Sequence, residues 1–452
     1  MTPRRPAPPA ESTSPAKFRF GAHALVGALA LVVFGWNLGD VPFVDEYAYI
    51  TQSYYADLLF EGRTNDPAWL DFPAYDLVPL PKYLIGLALR AAGERRPGPE
   101  AARAWYGDTS NRYGPPRVLT VSRAPSIVLG AIGCVALAVI GGLAFDLRVG
   151  LVAAVLLMLN PLYALHAHRA MSEAPCEAFL MVALALALAA WKRALAPETG
   201  WRLMLWLPAT GLATALAVLA KFNGLLTLMT LGVWVGLAWA IPRGGPWGWV
   251  RFASGALVAV VAAGAGFIAL NPYMTARPAP PLRPEAQQIA EMGAWARFRL
   301  LIDHRRTMSA SQQQAFAHNA LTTPLERAKV VAAQGFGRFG PLGPRKSDST
   351  RRYDFEQDWG AFGWLPLCLA GLGYALAIGL VQFHRREPPA AWAAAAWAVV
   401  SLVVVASYLP MAWDRYQLPI QAPFTLLAAS ALVAIGDALG RLVGLKSKVG
   451  PT

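Results

Sequence analysis

Apolar runs of about 20 residues recur along this chain, and at about 1.5 Å per residue each is long enough to cross a hydrocarbon core of about 30 Å. A chain built this way has only one economical solution, a bundle of membrane-spanning helices, because every backbone polar group in lipid must be satisfied within its own segment. Of its 452 residues, 56% are apolar and only 15% charged, against about 45–50% and about 25% in soluble globular proteins. That balance excludes both an ordinary soluble enzyme and a disordered chain. Taken in order, the candidate spans lie at 20–39, 124–145, 149–165, 174–191, 203–220, 223–241, 252–270, 360–381, 391–410 and 417–436, about ten in all. The fold class expected is therefore an all-α polytopic membrane protein.

Orientation follows from the basic residues. The chain has 40 Lys and Arg against 27 Asp and Glu, a net charge of +13. In a soluble protein this would suggest nucleic acid, but no basic stripe interleaved with aromatics appears outside the membrane-flanking segments, so no nucleic-acid partner is expected. With the N-terminus inside, the short inside connections carry Arg148, then Lys192, Arg193 and Arg202, then Arg243 and Arg251, then Arg385 and Arg386, and finally Arg441, Lys446 and Lys448. Each is basic, as the positive-inside rule requires, and an even number of spans puts both termini in the cytoplasm. Residues 1–19, rich in Pro, Ala and Ser, read as a disordered cytoplasmic tail, and 437–452 as a second cytoplasmic tail. The first apolar run has no small-residue cleavage site, so it is expected to remain as a helix. Cys134, Cys176 and Cys368 all lie in apolar runs and read as small core residues.

Two connections on the outside are long, 40–123 and 271–359, and these are where chemistry is expected, since a plain bundle needs only short loops. The first opens with Asp45 and Glu46 at the mouth of a span, where carboxylates are costly unless they pair, bind or react. Tyr47 to Phe60 has an interfacial-helix pattern, and a second such helix follows Tyr75-Asp76-Leu77-Val78-Pro79-Leu80-Pro81-Lys82-Tyr83. Asp76 stands just ahead of this Pro-Leu-Pro-Lys stretch, and Lys82 sits on an otherwise apolar face, where a lysine either holds an anion or snorkels to water. Further along, His166-Ala167-His168-Arg169 and Ser172-Glu173 close the third span on the outside, Lys221 occupies a short outside turn, and Arg415 stands between Asp414 and Tyr416 at the start of the last span. Arg415 either grips an anion or pairs with Asp414. The His166 and His168 pair has no third ligand evident in the sequence, so a divalent cation remains only an option and no metal site is assigned. The second long segment has a Pro-rich opening from Pro278 to Pro284, a mixed helical stretch from Glu285 to His304 and a Gly-rich passage from Gly335 to Gly343. It reads either as a cap that binds acceptor or as a linker on the headgroups.

The order of these elements resembles family 39 glycosyltransferases, GT-C fold enzymes that include protein O-mannosyltransferases and bacterial aminoarabinose transferases. The resemblance is carried by Asp45-Glu46-Tyr47, Pro79-Leu80-Pro81-Lys82-Tyr83, Arg123-Ala124-Pro125, Asn160-Pro161 through Ser172-Glu173-Ala174-Pro175, Leu219-Ala220-Lys221 and Asp414-Arg415-Tyr416-Gln417-Leu418-Pro419. It implies a GT-C-like catalytic module over 20–270, with 271–359 as an acceptor-side loop and 360–436 as the C-terminal spans. It also implies sugar transfer from a polyprenyl-phosphate donor to a lipid, glycan or protein acceptor on the outer face of the membrane. On that reading Asp45 is the base, with Glu46 beside it in the catalytic pair. Lys82, Asp76, Arg169, Glu173, Lys221 and Arg415 line the donor site. Glu173 stands where the family has Asp, so the contact differs by one methylene. Two other readings stand beside it: a transporter or flippase, and a catalytically silent relative. A transporter places its charges near the bilayer midplane and often repeats its halves. Here the charges sit at helix ends and no repeat is visible. The Ala-, Arg- and Pro-rich usage suggests a GC-rich bacterium, and hence a cytoplasmic-membrane protein with its site facing outward.

Overall fold

The computed structural model describes residues 16–36, 41–110, 113–196, 203–241, 247–338 and 364–442. Of the expected tails 1–19 and 437–452, residues 16–19 and 437–442 are helical, continuing the first and last spans, while 1–15 and 443–452 lie outside the described residues, as does the later part of the second long segment over 339–359. The first span is α1 (Ala16–Gly35). The segment after it folds into five short helices, α2 (Val44–Thr51), α3 (Tyr55–Phe60), α4 (Phe72–Asp76), α5 (Pro79–Ala91) and α6 (Pro99–Gly107), with a 3-10 turn at Pro67–Leu70. Prolines stand in the first turn of α4, α5 and α6, where the missing N–H would have had no helical partner. The sequence pattern predicts two helices here, and the segment holds five. All of α2 from Glu46 to Thr51 is buried, and Tyr54, Tyr55, Trp69 and Tyr83 form an aromatic core beneath the segment.

The transmembrane bundle follows as α7 (Pro116–Ala144), α8 (Leu147–Met158), α9 (Pro161–Ala167), α10 (Glu173–Ala194), α11 (Leu203–Ala220), α12 (Leu226–Ala240) and α13 (Gly248–Ala269). α8 and α9 meet at a bend of 71°. The break is built by Asn160, whose side chain caps α9 through Leu162 N–H (3.0 Å) and Tyr163 N–H (2.9 Å). Then come α14 (Pro284–Glu291), α15 (Ala294–Ala315), α16 (Pro324–Val330) and a π-helical stretch at Val331–Arg338, and finally α17 (Leu365–His384), α18 (Ala390–Tyr408) and α19 (Leu418–Leu442). Among the described residues, eight helices are long and apolar enough to cross a membrane, or nine with the bent α8–α9 pair. The tenth expected span, 203–220, is the shorter apolar helix α11.

The helices pack α13 against α11, α11 against α10, α10 against α7, α7 against α8 and α8 against α19, with α1 on the flank of α7. Small residues set the closest approach: a Cβ on Gly141 of α7 would lie 2.5 Å from the Gly150 Cα of α8. Without a hydrophobic drive between helices in lipid, such close packing is a main source of cohesion. Buried indoles add directed links, Trp191 donating to Trp234 O (3.0 Å) and Trp234 to Ala393 O (2.9 Å), which join α10, α12 and α18.

Candidate active site

The geometry of the site begins at the first turn of α2. Phe43 is extended, and Glu46 folds back to accept its N–H at 2.8 Å. The same carboxylate accepts Ala170 N–H (2.9 Å) and a two-pronged contact from Arg123, at 2.8 and 2.7 Å. Glu46 and Arg123 are both fully buried. Glu46 is therefore not part of a catalytic pair: its oxygens are committed to α7, to the segment before α10 and to its own helix start, and none is left for substrate. Its work is to fix the start of α2. Asp45, the residue before it, points away from that clamp with its side chain 32% exposed, and receives Arg415 Nη1 at 2.6 Å. Arg415 is itself held by the rings of Trp413 (4.9 Å) and Tyr416 (5.8 Å). So Arg415 pairs with Asp45, while Asp414 accepts the Arg415 backbone N–H.

Two further cations stand nearby. Arg169 lies over the Phe43 ring at 4.5 Å, half-buried, and makes no side-chain hydrogen bond or ion pair among the described residues. Burial lowers its basicity, against the pull of Asp414, Glu46 and Glu173. Lys221, carried by the turn between α11 and α12, donates to Glu173 at 2.9 Å, and Ser172 donates to the other Glu173 oxygen at 3.1 Å. The structure thus brings Glu173 and Lys221 together as a pair. One turn along α10 lies Glu177, also buried, which sequence reasoning missed. Its signal was present: two carboxylates four residues apart fall on one face of an otherwise apolar helix. The buried Tyr49 of α2 links the two halves of the site, since its phenol, pushed up by burial, feels Glu173, Arg305 and Asp45 at once.

Lys82 is engaged within the fold. It is almost fully buried, donates to Pro73 O (2.6 Å) and Ala74 O (3.3 Å), and sits 4.9 Å from the centre of the Tyr55 ring. It closes the C-terminal end of α4 through these carbonyls. Burial pulls its amine well below the ordinary lysine range, with Asp76 partly opposing. Asp76 is also buried and accepts the Tyr106 hydroxyl, which in turn accepts from Gln52 at 3.0 Å. The imidazole of His304 on α15 meets its other oxygen at 3.4 Å. Burial alone would raise the Asp76 carboxyl, but His304, Tyr106, Arg305 and Lys82 outweigh it and hold the group below the usual aspartate value. His304 and Arg305 were left without a role in the sequence, because nothing in the spacing of the second long segment ties it to α4. Next to them runs an apolar cleft lined by Leu77, Val78, Phe222, Phe267 and Leu301, with Arg305 and the buried Tyr273 along its polar edge. Among the described residues no group of three or more His, Cys, Asp or Glu is placed to hold a metal ion.

Residues 73–271, which include α5 and the bundle from α7 to α13, match the dolichyl-phosphate-mannose-protein mannosyltransferase family. The match covers less than half of the chain and is a likeness to that family. The fold is shared with ArnT from Cupriavidus metallidurans bound to undecaprenyl phosphate, at a TM-score of 0.50 and 17% identity, covering 94% of this chain and 64% of that one. ArnT in its apo state gives 0.50 and 16%, covering 94% and 62%. The archaeal oligosaccharyltransferase AglB from Archaeoglobus fulgidus is also similar, at 0.49 and 14%, covering 96% and 52%. The chain thus spans between about half and two thirds of the length of these GT-C structures. No curated protein matches it. Asp45, Glu46 and Arg415 lie outside the matched stretch, and Glu46 reaches it through Arg123 and Ala170.

Proposed function

We propose that this chain is an inverting glycosyltransferase that moves a sugar from a polyprenyl-phosphate donor to an acceptor hydroxyl at the outer face of a bacterial cytoplasmic membrane. The observation that carries this reading is one carboxylate, Asp45, left reachable and aimed by Arg415, in the same end of the bundle as an apolar cleft edged by Arg305. Arg305 and the unpaired Arg169 suit the phosphate. Undecaprenyl phosphate, bound in one of the similar ArnT structures, belongs to the lipid class this arrangement fits.

The chemistry needs few parts. The acceptor oxygen attacks the anomeric carbon as Asp45 takes its proton, and the bond from that carbon to the phosphate oxygen breaks with its electrons leaving on the phosphate. Guanidinium groups stabilise that developing charge in place of a second carboxylic acid. A single displacement inverts the anomeric centre, unlike the two-carboxylate retaining hydrolases. Proteoliposomes supplied with undecaprenyl-phosphate sugars test the reading. Asp45→Asn is expected to slow transfer by about 10²- to 10⁴-fold while undecaprenyl phosphate still binds, and full transfer by that variant would overturn the assignment. Mass spectrometry of envelope lipids and glycans, with the chain present and absent, identifies sugar and acceptor.

A further inference from the structure

We propose that His304, oriented by Asp76, is a direct ligand of the lipid phosphate, an inference that rests on the lipid-phosphate reading above. His304 is held on several sides. Its Nε2 faces Asp76 Oδ1 at 3.4 Å, and the rings of Phe72 (5.6 Å) and Tyr75 (5.4 Å) meet its plane at 84°. Asp76 in turn is fixed by Tyr106 and Gln52. This is how an imidazole is prepared for use: a carboxylate on one ring nitrogen sets the tautomer and leaves the other nitrogen to work. The side chain is 16% exposed, and Nδ1 is neither buried nor hydrogen-bonded among the described residues.

What that nitrogen meets is set by its neighbours. Arg305 follows it on α15, touches Tyr75 O at 3.4 Å and lies on the edge of the apolar cleft. A guanidinium and an imidazole that follow each other on one helix fit an anionic head. With Nε2–H turned to Asp76, Nδ1 and a phosphate oxygen share one proton, supplied by the imidazolium or by the phosphate's own hydroxyl. The acidic neighbours do not defeat this, since Asp76 is met by Tyr106, Lys82 and Arg305 as well as by His304. His304 is thus the donor-binding group of the pair and Asp76 the positioning residue.

The test is binding to the full chain in nanodiscs, with undecaprenyl phosphate and the neutral undecaprenol as probes. Wild type is expected to prefer the phosphate; equal affinity for both lipids would overturn the lipid-phosphate reading itself. Given that preference, His304→Ala is expected to weaken undecaprenyl phosphate by about tenfold and to leave undecaprenol unchanged, with His304→Gln recovering part of the loss. Asp76→Asn is expected to weaken the phosphate too, and the double variant to bind no worse than His304→Ala, because the two residues act as one unit. Wild-type affinity for undecaprenyl phosphate in His304→Ala, or equal losses for both lipids, overturns the inference while leaving the reading of the function in place.

Discussion

Asp45 and Glu46 are neighbours with the same charge, and their surroundings give them opposite work. Glu46, at zero exposure, meets a guanidinium at zero exposure, so removing its charge strands Arg123 in a place it cannot leave. Glu46→Gln is therefore expected to destabilise by about 3–5 kcal/mol, read as a large drop in thermal midpoint in detergent. Asp45→Asn breaks a partly solvated pair, 32% and 18% exposed, and is expected to change stability by about 1 kcal/mol or less. Asp76 adds a pH dependence of known sign. Its folded carboxyl is held below the ordinary value, so the stability it contributes is fully present above the unfolded aspartate value and is lost as the pH falls through the depressed folded one. Asp76→Asn should flatten that acid limb of an unfolding profile. Residue type alone could not have separated these cases. Lys82 has the chemistry of a phosphate ligand, and only the positions of Pro73 O and Ala74 O show that two of its three donors are already engaged.

At the scale of elements, apolar length was legible and partnership was not. Each expected span became a helix because hydropathy over a bilayer's width is a long, redundant signal. The helices of the first long segment carried a period without a destination. α2 has the pattern of a surface helix and is buried, because α5 and α6, with Arg123 of α7, close over it. The second long segment was least legible of all, since what fixes it is one residue. Arg297, fully buried on α15, donates to the carbonyls of Tyr273 (2.6 Å), Ala276 (2.9 Å), Ala290 (3.1 Å) and Met292 (3.2 Å). Arg297→Ala leaves those carbonyls unpaired, at about 1–3 kcal/mol for each that water cannot reach. Residues 271–316 are therefore expected to become protease-sensitive while the bundle stays intact, which limited proteolysis would reveal. The same segment also joins the site directly. Ala412 N–H bonds to Asn319 O at 2.8 Å and Leu321 N–H to Pro410 O at 2.9 Å, so the chain leading into Asp414 and Arg415 is braced by residues almost a hundred positions earlier.

Across the whole molecule the charges divide into two ends, and this division makes orientation testable. Arg148 bonds to Asp437 at 2.8 Å, Lys192 to Leu143 O at 2.7 Å and Gln382 to Ala144 O at 3.1 Å, which gathers the turns carrying Arg148, Lys192, Arg193, Arg385 and Arg386 at one end. Asp45, Asp76, Glu173, Lys221, His304 and Arg415 gather at the other. Short basic turns stay in the cytoplasm because translocating them opposes the membrane potential and anionic lipid. The site end is then expected outside, where a lipid-linked sugar already carried across the membrane would meet acceptors. The native cysteines, Cys134, Cys176 and Cys368, are buried and free, so the wild-type chain should give little background with a maleimide that cannot cross membranes. Asp303→Cys on α15 and Arg385→Cys after α17 place single exposed thiols at the two ends. In intact cells Asp303→Cys is expected to label and Arg385→Cys to label only after the membrane is opened. The reverse pattern would turn the bundle over and put Asp45 on the cytoplasmic side, where the proposed transfer would have to use acceptors made inside the cell.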